Sequence, residues 1–475
     1  MKNWVLLFFA LCLAFSLPTQ AQLSDADRKL ARDILQELIE INTTDSVGNV
    51  SAASEAMAKR LRDAGYADSD IFIGGPNDRK KNLVVRLHGT GAKKPVLLMG
   101  HLDVVEAHRE DWTTDPFQLV EKDGYFYGRG TEDMKASDAI FVVTMMRLKR
   151  EGYKPDRDII LALTADEEGG KSNGIDWLLK NRRDLVDGEF ALNADGGGVI
   201  TEKGKPFVVA MGASEKLYAD YELEVTNPGG HSSMPTPENA IYRLSDALVQ
   251  LQNYHFPFEL NDVTRAFFQQ TAKVQQGQVA ADMLAVTKTP PDEAAIERLS
   301  QDPYYNALMH TTCVATRVQA GHANNALPQR ATANVNCRIL PGHSRDEILQ
   351  VLTKVVDDPK VSLSYVNNGM KVIMGDREKT ALPPVALKPA VMDPLEKISA
   401  DMWPGAPVVP EMGTGATDGV YTNPAGIPTY GVSGLAIDVD DDRSHGRDER
   451  LPVESYYDGA VFYHRYLKTM TGGGR

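Results

Sequence analysis

Acidic and imidazole side chains recur in this chain just after short apolar runs, a placement suited to binding divalent cations. The run KPVLLMG (94–100) ends at His101, Leu102 and Asp103, and RDIILALTA (157–165) ends at Asp166, Glu167 and Glu168. EFALNA (189–194) ends at Asp195, followed by three glycines at 196–198. Between the first two lies Gly128-Arg129-Gly130-Thr131-Glu132-Asp133, a loop that opens a helix. In open α/β sheets functional groups collect past the carboxyl ends of strands. Taken singly, each cluster is equally well a helix cap or a solvated turn. Several in sequential strands point instead to one shared site.

Histidine together with carboxylate suits Zn²⁺, and a two-metal site takes about five or six ligands, one of them bridging. Three carboxylates and a bridging hydroxide balance two divalent ions, which matters because unbalanced buried charge is expensive. The spacing His101-x-Asp103 lets one residue ligate while the other orients its imidazole. The adjacent Glu167 and Glu168 can divide the work of general base and ligand.

Such groups need a rigid frame, and the hydrophobic pattern supplies one. Helical spacing covers 24–40, 51–65, 137–152 and 172–185, and Ile/Val/Leu-rich runs at 82–89, 94–100, 157–165 and 189–195 read as buried strands. This alternation predicts an α/β, three-layer catalytic domain with a largely parallel central sheet. Near 214 the pattern changes: LYADYELEVTN (217–227) alternates apolar and polar residues, as a sheet with one wet face does. The next strands and helices have the order βαββαβ, a ferredoxin-like α+β lid or dimerisation domain interrupting the first. The expected organisation is a signal peptide at 1–21, catalytic domain at 22–213 and 371–475, and lid at 214–370 with a helical insertion at about 255–305.

With 475 residues, 42% hydrophobic and 24% charged, the chain has the composition of a globular protein of two or three domains. Disordered, collagen-like and multi-span membrane classes are excluded. The 51 basic and 65 acidic side chains give a net charge of −14, which disfavours nucleic acid or anionic membranes as partners. MKNWVLLFFALCLAFSLPTQA (1–21) has an early Lys2, an apolar run too short for a span and a small residue at Ala21, the anatomy of an export signal. No stable membrane span then remains, and the expected location is secreted or periplasmic. Cys313 and Cys337 lie in two strand-like runs and either pair as a disulfide or stay as buried thiols.

The strings GHLDVV (100–105), WTTDPF (112–117), YGRGTEDMK (127–135), DEEGG (166–170) and HSSMP (231–235) together resemble the dinuclear zinc exopeptidase and amidohydrolase family. Glutamate carboxypeptidase, succinyl-diaminopimelate desuccinylase, acetylornithine deacetylase and aminoacylase belong to it. The run ASEKLYADYELEVTNPGGHSSMP (213–235) is most similar to the carboxypeptidase S-like branch, which includes secreted N-acyl amino acid hydrolases. The resemblance implies two Zn²⁺ per subunit, with Co²⁺ or Mn²⁺ as alternatives. His101 and Asp195 would hold one ion, Glu168 and His445 the other, and Asp133 would bridge them. Asp103 would orient His101, and Glu167 would be the general base towards a metal-activated water. His231, in the lid, would stabilise the developing oxyanion, in some dimers from the partner subunit, so a homodimer through the lid is compatible with the site.

Arg338 and Asn325 match family positions that hold a substrate carboxylate, for which an Arg offers two-pronged geometry. Gly415 and Thr417 lie in a loop, 413–419, similar to the family's glycine-rich substrate loop, with Thr417 where Ser is common. The function so implied is a metallopeptidase, carboxypeptidase or dipeptidase in type, cutting the amide bond next to a free amino-acid carboxylate. The alternative substrate is an N-acyl amino acid, for which Phe256, Phe258, Phe267 and Phe268 of the insertion either line an acyl pocket or pack a helix pair. A metal-stabilised binding protein without turnover is a third reading, disfavoured by the presence of Glu167.

Overall fold

The computed structural model describes residues 23–169, 171–367, 369–375, 381 and 384–472; the expected export signal lies outside the described residues. Its centre is a ten-stranded sheet. Ile159–Thr164, Val96–His101, Phe190–Asn193 and Thr429–Gly431 run parallel, side by side, through the middle of it. Asn82–Leu87 and Ile71–Gly74 close one flank antiparallel, and the hairpin Gly198–Glu202/Lys205–Glu215 builds the other. Val408–Gly413 and Ala436–Asp438 add to that hairpin in parallel.

The central strands are apolar on both faces because both faces are covered. Val96, Leu98, Leu161 and Leu163 pack with the helices Asp25–Glu40, Lys135–Arg150 and Val453–Met470. The alternate residues Leu97, Met99, Ile160 and Ala162 meet Ile175 and Leu178 of Gly174–Asn181 on the opposite face. Side chains of period two thus serve two helix layers, giving the expected three-layer α/β architecture. Asn173 starts Gly174–Asn181 by accepting the Asp176 N–H, and so fixes where the DEEGG loop ends.

Strand Lys205–Glu215 passes through the single residue Lys216 into Leu217–Thr226 of a second sheet. That sheet has the order Thr312–Ala320, Arg330–Ile339, Leu217–Thr226, Val361–Asn367, Met370–Lys371, all antiparallel. Ala219, Tyr221, Leu223 and Val225 face the helices Ala240–Asn253 and Arg345–Val356. This is the ferredoxin-like arrangement the sequence predicts. Cys313 and Cys337 are register partners on neighbouring strands and form a disulfide, resolving the alternative left open by the sequence.

The insertion is four helices, Asp262–Thr271, Gly277–Val286, Glu293–Leu299 and Pro303–Met309. They pack on the large sheet: Val263, Phe267 and Phe268 join the core that contains Val409 and Met412. Strand Val408–Gly413 pairs only with Lys205–Glu215 among the described residues, and helix Asp262–Thr271 lies against it. An uncovered edge would leave unpaired backbone groups and apolar side chains in water. Phe267 and Phe268 are buried in this packing, so of their two readings the helix-packing one holds; Phe256 packs against the lid core and Phe258 against the large one.

Candidate active site

The strand-end residues converge. His101 closes its strand with Nε2 3.1 Å from Asp133 Oδ1 and 3.9 Å from Asp195 Oδ1. His445 Nε2 lies 2.9 Å from Asp133 Oδ2 and 3.0 Å from Glu168 Oε2. The two oxygens of Asp133 thus face two different imidazoles, as a bridging carboxylate must. Two groupings have ligand atoms within 4.8 Å of one another: His101, Glu167 and Asp195, and His101, Asp133 and Glu168. His445 adopts φ 61° in its turn, the left-handed region that histidine tolerates better than most residues.

The surrounding chain holds these groups in place. His101 Nδ1 is 3.1 Å from the backbone oxygen of Asp103, whereas the Asp103 carboxylate is 3.8 Å away. That carboxylate instead accepts the backbone N–H groups of Glu167 (3.3 Å) and Glu168 (3.0 Å). Asp103 therefore orients the imidazole through its main chain and the Glu167-Glu168 turn through its side chain. Asp166, which starts that turn at φ 59°, is paired with the buried Lys80.

Glu449, fully buried, accepts from Gly130 N (3.1 Å), Glu132 N (2.7 Å), Asp133 N (3.1 Å) and Arg129 Nη1 (2.6 Å). Arg129 Nη2 also donates to Gly446 O at 2.8 Å. This pair ties the loop carrying Asp133 to the loop carrying His445. Asp138 is buried directly beneath Gly100, where any Cβ would come within 2.2 Å of its Oδ1. Sequence reading missed Arg129, Glu449 and Asp138 as supports; the available signal was ionic residues inside otherwise tight glycine-containing motifs, with nothing to say which would pair.

Electrostatics mark the cluster. Burial alone would push the His101 imidazole down, but Asp133 and Asp195 outweigh it and hold it well above its ordinary value. Asp133 and Glu168 raise His445 to about 10. Burial, with Asp195, Asp418 and Glu168 nearby, pushes Glu167 up to about 9 against the pull of His101. His101 Nε2 and Asp133 Oδ1 are buried without a hydrogen bond. Orphaned polar atoms this deep are costly, and a bound divalent cation would satisfy both. Two imidazoles and a set of carboxylates are donors that fit Zn²⁺ and its neighbours.

The residues expected to contact substrate come from the lid and from the 413–419 loop. His231 is exposed on the lid in the short ribbon Gly230–His231/Ala326–Leu327, its Nδ1 2.7 Å from Ser233 Oγ. Ser232 N donates to Asn325 O, so His231 and Asn325 share this ribbon. Among the described residues, the hydrogen bonds of His231 stay within its own turn and ribbon. Arg338 projects from strand Arg330–Ile339 with its guanidinium 4.8 Å from the ring centroid of Tyr218. In the glycine-rich loop, Thr417 N already donates to Glu215 Oε2 at 2.7 Å, and Gly415 has open space where a Cβ would sit. Asp418 accepts from Asn173 Nδ2 (2.6 Å) and Thr164 Oγ1 (3.2 Å), fastening that loop behind Glu167.

Comparison with known proteins identifies the family. Residues 97–469 match peptidase family M20/M25/M40, and the chain belongs to that family. It is 30% identical over 383 residues to a Dictyostelium discoideum protein described as a probable carboxypeptidase S-like 2, covering 79% of this chain and 71% of that protein. It is 30% identical over 371 residues to the Xenopus tropicalis N-fatty-acyl-amino acid synthase/hydrolase PM20D1, covering 76% of this chain and 69% of that protein. The crystal structure of an M20 family metallo-carboxypeptidase from Sulfolobus solfataricus shares the fold, with a TM-score of 0.68, 16% identity and coverage of 93% of this chain and 99% of that one. The chain is thus an M20-type peptidase or amidohydrolase, of a family that includes a dinuclear metal binding peptidase from Bacillus subtilis (TM-score 0.60, 12% identity, 95% and 100% coverage).

Proposed function

We propose that this chain is an exported, zinc-dependent hydrolase that cuts the amide bond next to a free amino-acid carboxylate, as a carboxypeptidase or dipeptidase. The observation that carries the reading is Asp133 set between His101 and His445, with Glu168, Asp195 and Glu167 around it. His101, Asp195, Asp133, Glu168 and His445 would hold two divalent cations, which when bound supply Lewis acidity and an acidic water. Glu167, held by its own N–H to Asp103, takes the proton at its carboxylate and returns it to the leaving nitrogen. His231 offers an imidazole N–H to the carbonyl oxygen as charge builds there. Among the described residues its hydrogen bonds stay within its own turn and ribbon, and a homodimer through the lid is one arrangement that would bring it to the carboxylates. Arg338 and Asn325 grip the carboxylate of the leaving amino acid.

An N-acyl amino acid as substrate is favoured by one observation, the similarity to PM20D1 proteins named N-fatty-acyl-amino acid synthase/hydrolase. Both readings share the scissile bond and the carboxylate, and differ in the acyl half. The test is hydrolysis by zinc-loaded mature protein of dipeptides, longer peptides and N-acyl amino acids, each with and without a blocked carboxyl, read by mass spectrometry. Chelator-sensitive cleavage of free-carboxylate substrates alone is the expected result, and its acyl preference chooses between the readings. Cleavage indifferent to blocking removes the Arg338 grip, and no turnover with two ions bound favours the binding-protein reading.

A further inference from the structure

Two elements assigned to the substrate come from different domains, the glycine-rich loop 413–419 from the large sheet and Arg338 from the lid. Both lead back to consecutive residues at the junction. Glu215 is the last residue of Lys205–Glu215, and its carboxylate accepts the Thr417 N–H at 2.7 Å. Lys216 comes next; its backbone N–H donates to Gly413 O at 3.0 Å. Its side chain turns the other way and is fully buried, with Nζ 2.9 Å from Ala307 O, 2.7 Å from His310 O and 3.3 Å from Thr312 Oγ1. An ammonium has three protons, and here each has an acceptor. Thr312 is the register partner of Arg338 in the lid sheet.

The loop has little else to position its first half. Gly415 has open space where a Cβ would sit, and Ala416 lines a cavity of about 650 Å³ shared with Glu215, Lys216, Tyr218 and Gly419. Gly415 and Ala416 are exposed, so packing does little to hold them, and the hydrogen bonds at Gly413 and Thr417 on either side set their path. Asp418 anchors only the far end, on Thr164 and Asn173. A buried lysine and a largely buried glutamate are costly to keep at a junction, which argues for a specific task.

We propose that Glu215 and Lys216 are positioning residues that set the glycine-rich loop and the Arg338 strand at a fixed separation, so that the two domains grip one substrate together. This rests on the substrate reading proposed for the site. The test uses the full mature chain loaded with zinc, by hydrogen–deuterium exchange and by kinetics on matched free-carboxylate and amidated substrates. Glu215→Ala should speed exchange in 413–417 and leave 420–427 unchanged. It should raise KM for the free-carboxylate substrate about tenfold, the worth of one charge-assisted hydrogen bond, with kcat little altered. Glu215→Gln keeps an oxygen for Thr417 N–H and should recover most of the loss. Lys216→Met should speed exchange in 312–316 and lower the preference for free over amidated substrate. Thr312→Val, which removes a single acceptor, should do the same more weakly and serves if Lys216→Met does not fold. Loss of general stability would not change that preference. Unaltered exchange in 413–417 for Glu215→Ala, or an unaltered preference in the folded junction variants, overturns the proposal. Should the wild-type protein cleave nothing on the panel, it is the substrate reading that fails, and exchange alone decides the junction.

Discussion

Replacing Glu449 by Gln tests whether the site is held by one buried carboxylate. The change is nearly isosteric, yet it removes the charge opposite Arg129 and puts an N–H₂ among four donors. Arg129 is only 2% exposed, so its guanidinium is left buried without a counter-charge. Breaking a buried pair in this way costs about 3–5 kcal/mol, a large share of the roughly 5–15 kcal/mol that holds a typical protein folded. The Asp133 loop also loses its anchor to the His445 loop, and loss of such a support lowers metal affinity about 10–100-fold. Urea unfolding of the metal-free protein and zinc competition with a chromogenic chelator measure the two effects. Arg129→Met in the same chain should recover part of the stability but not the affinity, because the uncompensated charge is gone while the loop remains unanchored. A Glu449→Gln protein that unfolds within about 1 kcal/mol of wild type and binds zinc equally well refutes the reasoning.

Glu167→Gln should keep both metals by elemental analysis and lower kcat by about 10²–10⁴, the usual worth of a positioned proton acceptor. Reducing the Cys313–Cys337 bond, or replacing both by Ala, should cost about 3 kcal/mol in denaturant unfolding, from a closed loop with a sequence separation of 24. Burial and the nearby Arg147 push His464 down to about 4, although Glu151 Oε1 is 2.9 Å away. An unfolded histidine takes its proton below about pH 6.5, while the folded one resists to about 4. Stability should therefore fall as pH drops through that window, and His464→Gln should flatten the slope by up to one proton.

The motif residues were legible because each strand-end cluster is local. A strand that stops at His101, or at Thr164 just before Glu167, must present its next few residues at the sheet's edge, and the apolar runs mark where strands stop. The lid's βαββαβ order was readable for the same reason, since period and length identify each element. Across-chain relations were not. The sequence places Glu449 near His445 but says nothing of Gly130, more than 300 residues earlier, whose N–H it accepts. The insertion's helical character followed from its pattern, whereas its seat on Val408–Gly413 depended on which sheet edge was left open.

What the sequence determined by itself is the chemistry on offer: residue types, their spacing, and the alternation that makes strands end in histidine and carboxylate clusters. Tertiary structure decided the partnerships. It gave the Asp103 carboxylate to the Glu167-Glu168 turn rather than to His101, joined Cys313 to Cys337, and sent Glu215 and Lys216 in opposite directions at the junction. The physical reason is that a buried charge or polar group must find a partner wherever the fold brings one within about 3 Å, and that distance is a property of packing rather than of sequence separation.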